Sequence, residues 1–453
     1  MQMLYPTSGQ ASIADRSHRA ITGVMTTPRL HILLLRPFEI FFRTEALGGT
    51  VLILSTLLAL VWANSPWVSL YHALWATEFH IGTPRMGLAK PLILWVNDLL
   101  MAIFFLVVGL EIKRELLLGE LNSLRKTLLP LAAALGGMLA PALIFILLAG
   151  DAARGWGVPM ATDIAFALGC LRLLGKRVPP ALVVFLTAVA IIDDLGAILV
   201  IAFAYSTGVS LSALGAAFLV LLLLLAMNFM GVRRPWLYVA LGLPLWVAVL
   251  KSGVHATIAG VIVGLCVPAR ALFSKRDVVA QARLLLDHAE KQEEEESEDA
   301  FRSLEHQLEE CESPLTRLEH ALHPWVAFAI VPIFALANAG VSLKGVGFAD
   351  LGRPAALAVL LALFFGKQLG VFGATFVVHR LGVAELPSGA TWRHVYGASL
   401  LAGIGFTMSL FIAGLAYGEG SPQHLEAKLG ILCASLLCAG AGLFVLGRAK
   451  ESA

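Results

Sequence analysis

Two adjacent aspartates, Asp193 and Asp194, stand in the middle of AVAIIDDLGAILVIA, an apolar run with no basic residue. A carboxylate inside a membrane-spanning segment costs at least ~2.5–3.5 kcal/mol on insertion scales, so an acid kept there implies a use. A partner from another helix neutralises one of the two and leaves the other. Burial and a like-charged neighbour both favour a protonated acid, which sets a proton against a metal cation for the same oxygens. A hard cation such as Na+ favours oxygen ligands. The pair therefore reads as a cation site where Na+ and H+ compete, with no cofactor needed.

Three further features belong to the same chemistry. Asp163 lies in GVPMATDIAFALG, just after Thr162, in a stretch whose Pro, Thr and Asp suit an interrupted helix. An interrupted helix exposes backbone N–H groups, and an acid offsets the positive end of the half-helix that follows. Lys367, in LALFFGKQLGVFG, has several apolar residues on each side and is expected to pair inside the membrane with one aspartate of the pair. Gly403 and Gly405, in LLAGIGFTMSLFIAG, allow a second helix to unwind or two helices to pack closely. His255, His320 and His323 carry the side chain that titrates nearest neutral pH, which leaves a sensing role open.

The elements that hold these residues are membrane helices. Hydrophobic residues make up 58% of the 453-residue chain and charged residues 14%, far from the balance of a soluble domain. The net charge of +2 gives no reason to expect nucleic acid. The five cysteines form no C-x-x-C pair and imply neither a metal site nor a disulfide framework. A span needs roughly 20 apolar residues. Twelve stretches qualify, at about 45–64, 92–112, 128–149, 157–175, 180–205, 211–230, 235–250, 253–268, 322–342, 354–379, 394–417 and 425–447. Lys and Arg collect in alternate loops, including Lys113 and Arg114, Arg172 and Arg177, Arg233 and Arg234, and Arg380 and Arg393. By the positive-inside rule those loops and both termini are cytoplasmic. Merging the seventh and eighth stretches would destroy that alternation.

The chain divides accordingly. Residues 1–44 are a cytoplasmic tail, 45–270 hold spans one to eight, 321–447 hold spans nine to twelve, and 448–453 close the chain inside. Between them, 271–320 is an acidic cytoplasmic insertion containing Glu293–Glu296. Residues 65–91 form an outside excursion in which Phe79, Ile81, Gly82, Thr83 and Pro84 suit a hairpin. The fourth and eleventh spans occupy corresponding places if spans three to five and ten to twelve are related halves. Interrupted segments so placed point to a transporter site at mid-membrane.

The strings WVNDLLMAIFFLVVGLEIKREL, PMATDIAFALG, AIIDDLGAI, LKSGVHATIAGVIVG, RLEHALHPWV, FALANAGVSL, GKQLG and GIGFTMSLFIA, in this order, resemble the NhaA family of bacterial sodium/proton antiporters. The resemblance implies an all-α, twelve-helix inverted-repeat fold, with spans four and eleven broken and crossing at mid-membrane. It implies that Asp194 is the main ion ligand, that Asp193 stands beside it and pairs with Lys367, and that Thr162 and Asp163 sit at the broken fourth span. It implies an inner-membrane protein without enzymatic activity. Its transport would be electrogenic exchange of Na+ or Li+ for H+, activated at alkaline pH and serving sodium and pH homeostasis. Glu111, Arg114, Glu115, Glu319, His320 and His323 match the family's pH-response positions, with His255 a further candidate. The 65–91 excursion matches a hairpin that joins two copies of the chain. The long acidic insertion departs from the family and lies beside the pH-response positions.

Three other readings fit less well. An intramembrane aspartyl protease would show Y-D and G-x-G-D signatures, whereas the contexts here are T-D and I-D-D. A channel does not need a lysine paired within the site. A cation or organic-anion symporter needs a roomier pocket with side-chain recognition groups, and this site offers mainly carboxylates.

Overall fold

The computed structural model describes residues 47–83, 86–117, 119, 124–206, 208–272, 311–342 and 347–449. The 1–44 tail and most of the acidic insertion lie outside that set. Among the described residues eight helices are long and apolar enough to cross a membrane. Chain order runs α1 (Leu47–Ala63), α2 (Val68–Ala76), β1 (Glu78–Thr83), β2 (Met86–Pro91), α3 (Leu92–Leu117), α4 (Leu124–Leu148), α5 (Ile164–Leu173) and α6 (Pro180–Ala204). It continues through α7 (Leu211–Phe229), α8 (Pro235–Ser252), α9 (Thr257–Cys266), α10 (Pro314–Asn338), α11 (Pro354–Arg380), α12 (Trp392–Leu401), α13 (Phe406–Tyr417) and α14 (Pro422–Gly447). The excursion after α1 turns through 114° into α2 and then forms the expected hairpin, β1 antiparallel to β2 with Glu78 opposite Pro91.

Start and stop signals explain the boundaries. α8 ends where Gly253 takes a left-handed conformation (φ 81°), and α9 resumes at Thr257, so the two stay separate helices. α10 begins at Pro314, earlier than the expected 322. Ser313 caps it by accepting from Thr316 N at 3.2 Å, and proline at the first helical position loses no hydrogen bond. The end of the supposed acidic loop is therefore the first turn of a long helix. α5 and α9 have only ten residues each, about 15 Å of helix, half of what a bilayer core requires.

Basic side chains gather at one end of the bundle. There Lys113 Nζ donates to the carbonyls of Leu265 and Val267, Arg233 to that of Arg270, Arg317 to that of Arg233 and Arg177 to that of Gly447. This is called the basic end, and the opposite one the hairpin end. The five cysteines are free, and Cys170, Cys266 and Cys438 are buried.

Close helix contacts rest on small residues. A Cβ on Gly370 of α11 would lie 2.1 Å from the Gly136 carbonyl oxygen of α4. A Cβ on Gly260 of α9 would lie 2.0 Å from the Ala102 carbonyl oxygen of α3. Both belong to small-xxx-small pairs, Gly366/Gly370 and Gly260/Gly264, which let backbones touch. The α4–α11 contact presses Lys367 inward beside Gly137.

Candidate functional site

Four elements converge near the middle of the bundle. Before α5 the chain runs through turns at 156–160 and an extended stretch at 161–163. α12 and α13 are separated at 402–405 and bend by 42°. The two interruptions touch: Asp163 N donates to the Ile404 carbonyl at 2.7 Å. The helix following each break points its N-terminus, with unpaired N–H groups and a partial positive charge, toward this contact.

Asp163 serves both ends. Its Oδ1 accepts from Phe166 N of α5 at 3.0 Å. Its Oδ2 accepts from Thr407 N at 3.0 Å and Thr407 Oγ1 at 2.5 Å, both in the first turn of α13. Ser435 of α14 adds a third cap, its Oγ accepting from Phe406 N at 3.3 Å. One carboxylate thus offsets two helix ends, a wider role than the single cap expected.

Asp193 and Asp194 sit halfway along α6, both completely buried. Lys367 Nζ is 2.5 Å from Asp193 Oδ2 and 3.1 Å from Thr162 Oγ1. Thr162 has one hydroxyl proton and two acceptors in reach, Asp193 Oδ2 at 2.7 Å and the Ala402 carbonyl at 2.9 Å. α11 makes wide π turns at Ala362–Gly366 and Gln368–Phe372, one on each side of Lys367. Such turns recur at functional residues. Oδ1 of Asp193 and Oδ1 of Asp194 are buried without a hydrogen-bond partner among the described residues. A carboxylate oxygen left bare in a dry interior is costly unless something else visits it.

Asp194 lines a cavity of about 90 Å³ that also takes in Asp163, Thr162, Thr407, Glu111 and His323. Beside Glu111, Arg114 donates to Glu319, whose carboxylate is buried, and lies 3.3 Å from Glu115 Oε1. His320 is exposed. Six of the seven expected pH-response positions therefore fall at the basic end, on α3 and α10. His255 does not join them. It lies between α8 and α9, with Nδ1 2.9 Å from Thr257 Oγ1 and its ring edge-on to Phe411. Its neighbouring charges are Asp98 and Lys90 of the hairpin end.

Gly403 and Gly405 do lie in the break, and of the two expected reasons close packing applies rather than backbone freedom. Neither has a positive φ. A Cβ on Gly403 would lie 2.6 Å from Cys438 Sγ and 2.7 Å from the Leu363 carbonyl oxygen, and one on Gly405 would lie 2.1 Å from Ser409 Oγ. Close packing against backbone excludes a side chain at Gly403, and one at Gly405 would displace the Ser409 hydroxyl. Sequence reasoning missed Thr407 and Ser435. Thr407 stands two residues after Gly405, where a helix restarting after a break needs a cap, so its place beside the glycines was the available signal.

A family model described as Na+/H+ antiporter 1 matches residues 39–446. A Na(+)/H(+) antiporter NhaA from Oleidesulfovibrio alaskensis is 51% identical over 426 residues, covering 92% of this chain and 94% of that relative. Another from Koribacter versatilis is 48% identical, covering 92% of both. A third, from Rhodospirillum rubrum, is 49% identical, covering 91% of this chain and 97% of its own. Among solved structures the sodium proton antiporter MjNhaP1 from Methanocaldococcus jannaschii aligns at 14% identity and a TM-score of 0.49, covering 92% of this chain and 99% of its own. A likeness that loose says nothing of the site.

Proposed function

Because the chain belongs to the Na+/H+ antiporter 1 family, we propose that it exchanges Na+ for H+ across a membrane, with Asp194 and Asp193 taking either ion. The observation that carries this is the pair of bare Oδ1 atoms on neighbouring buried aspartates, one of them on a cavity that reaches the basic end. Na+ entering from that end meets Asp194 first and displaces its proton. Asp193 joins as a ligand when Lys367 lets go of its Oδ2, with the Thr162 hydroxyl beside both. Asp163 stays with its two helix ends and holds the breaks together, which keeps the field at the site constant. A proton arriving from the hairpin end displaces Na+ in the return half of the cycle.

The finer reading follows the family. The chain makes twelve passes, with α5 and its upstream turns as the fourth, α9 as the eighth and α12 with α13 as the eleventh. It lies in a bacterial inner membrane, with the basic end and both termini cytoplasmic. Exchange is electrogenic, more protons entering than Na+ leaving, and takes Li+ as well. Glu111 and His323 at the cavity mouth, with Arg114, Glu115, Glu319 and His320 behind, tune activity toward alkaline pH for sodium and pH homeostasis. The β1–β2 hairpin joins two copies. An aspartyl protease is disfavoured because both oxygens of Asp163 already accept from N–H and O–H donors.

The test is proton flux in everted vesicles over pH 6.5–9 with Na+, Li+ or K+, for wild type and Asp194→Asn. Na+ and Li+ should collapse the pH gradient in wild type alone. Inserted wild-type protein that moves no protons with any cation would end this reading.

A further inference from the structure

The cavity at Asp194 extends toward the basic end as far as Glu111 and His323, and the opposite side is closed by two layers of side chains. The first layer is aromatic. Phe411 of α13 lies 5.9 Å from Phe105 of α3 and 6.1 Å from Phe334 of α10, centroid to centroid, and all three are buried. α13 starts at the site, so Phe411 lies about 6 Å beyond Thr407 toward the hairpin end. The cavity from the basic end touches Thr407 and Met408 but none of the three phenylalanines.

The second layer is polar and lies further out on the same three stretches of chain. Asn97 stands eight residues before Phe105 across a wide π turn at Val96–Leu100, which absorbs one residue and leaves about two full turns, and Asn338 stands four residues after Phe334, so each asparagine keeps its phenylalanine's helix face. Glu419 follows α13 in the turn to α14. Asn338 Nδ2 donates to Asn97 Oδ1 at 2.9 Å and to the Phe334 carbonyl at 3.1 Å. Asn97 Nδ2 donates to Glu419 Oε1 at 3.0 Å and lies 3.5 Å from Asn338 Oδ1. Every amide N–H of the two asparagines is thereby directed at an acceptor, so the trio is complete as it stands. Gly414 makes room for it: a Cβ there would lie 3.0 Å from Glu419 Oε1. Phe105, Phe334 and Phe411 all belong to the buried core around the ion site.

We propose that Asn97, Asn338 and Glu419 are the latch of a gate at the hairpin end, closed over the plug of Phe105, Phe334 and Phe411, and that the latch opens once in each exchange cycle. The proposal rests on the Na+/H+ exchange reading. An ion leaving the aspartates toward the hairpin end has to pass between α3, α10 and α13, and the three latch residues tie those helices together. A bond made only in the closed state biases the two-state equilibrium by its own strength and leaves the ion site untouched.

The experiment joins the latch covalently. Asn97→Cys and Glu419→Cys are introduced in the full chain, with the five native cysteines replaced by alanine, and treated with a short bifunctional thiol reagent that reduction reverses. Linked protein, verified by mass, should lose at least 90% of Na+-driven proton movement and regain it on reduction, while each single-cysteine protein stays active. Linked protein that keeps half its rate or more overturns the latch, as does failure of the two cysteines to link. In the wild-type background Glu419→Ala should raise the half-saturating Na+ concentration at the basic end about three-fold or more. Glu419→Gln, whose carbonyl oxygen still accepts from Asn97, should stay closer to wild type. Equal values for wild type and Glu419→Ala also overturn the latch. Absence of exchange in wild type itself counts against Na+/H+ exchange rather than the latch.

Discussion

Replacing Lys367 with methionine removes the ammonium and keeps most of the apolar stem. Lys367 and Asp193 are both fully buried, with Nζ 2.5 Å from Oδ2. Removing one member of such a pair strands the other's charge and costs ~3–5 kcal/mol. Asp193→Asn strands the ammonium and should cost a similar amount. Lys367→Met with Asp193→Asn strands neither charge. The double variant should therefore lose about 2 kcal/mol less than the sum of the singles, within the range of ~0.5–3 kcal/mol seen for directly coupled groups. Unfolding in mild detergent with rising SDS, followed through the nine tryptophans, measures the three losses. Losses that simply add, within ~0.5 kcal/mol, would mean the two charges do not face each other, and the ion pair would not be what holds Lys367 at the site.

Thr407→Val removes the hydroxyl donor to Asp163 and leaves the backbone N–H donors of α5 and α13, so the same unfolding assay should show a loss of ~1.5–3 kcal/mol, the range for a hydrogen bond to a charged group. Thr407→Ser should be near wild type. Gly370→Ala forces α4 and α11 apart and should cost ~1–3 kcal/mol, whereas Gly373→Ala on the same helix meets nothing within 4 Å and should be silent. Burial pushes the Glu419 carboxyl up from its ordinary value, against the opposing pull of Lys428 and the Asn97 hydrogen bond. A raised folded value makes its contribution greatest below the unfolded value and lost as pH rises through the folded one. Glu419→Gln should remove that loss, so thermal midpoints of wild type and variant should diverge with rising pH above the ordinary glutamate range, in the variant's favour.

The charged part of the site was legible because charge inside an apolar run is too costly to persist without a partner or a use. Asp193, Asp194, Asp163 and Lys367 stood out for that reason, and the structure brings them together with Thr162. Ser435, Asn97 and Asn338 were not legible, and Thr407 only through its place beside Gly405. Neutral polar side chains are tolerated in spans on packing grounds alone, and their partners are distant in sequence. Asn97 and Glu419 are 322 residues apart. Glu419 looked like any loop acid because its meaning depends on what folds over it. His255 was grouped with the basic-end residues by family likeness, which carries no information on which end of a helix a residue occupies in space. Gly403 and Gly405 marked the right place, and of the two reasons open to them close packing applies, since the atoms that exclude a side chain at Gly403 come from Leu363, Leu400 and Cys438.

The two wide turns around Lys367 make the length of α11 a steering device. A turn closed from residue i to i+5 holds one residue more than an α turn. Two of them put Gly373–Arg380 two residues out of phase with Pro354–Leu361, about 200° of rotation at 3.6 residues per turn. Residues 362–372 should therefore tolerate exchange of side chains better than loss of a single residue. One deletion rotates Thr375, now buried, by about 100°. Between relatives, a gap in this stretch would be a change of machine rather than a change of wording.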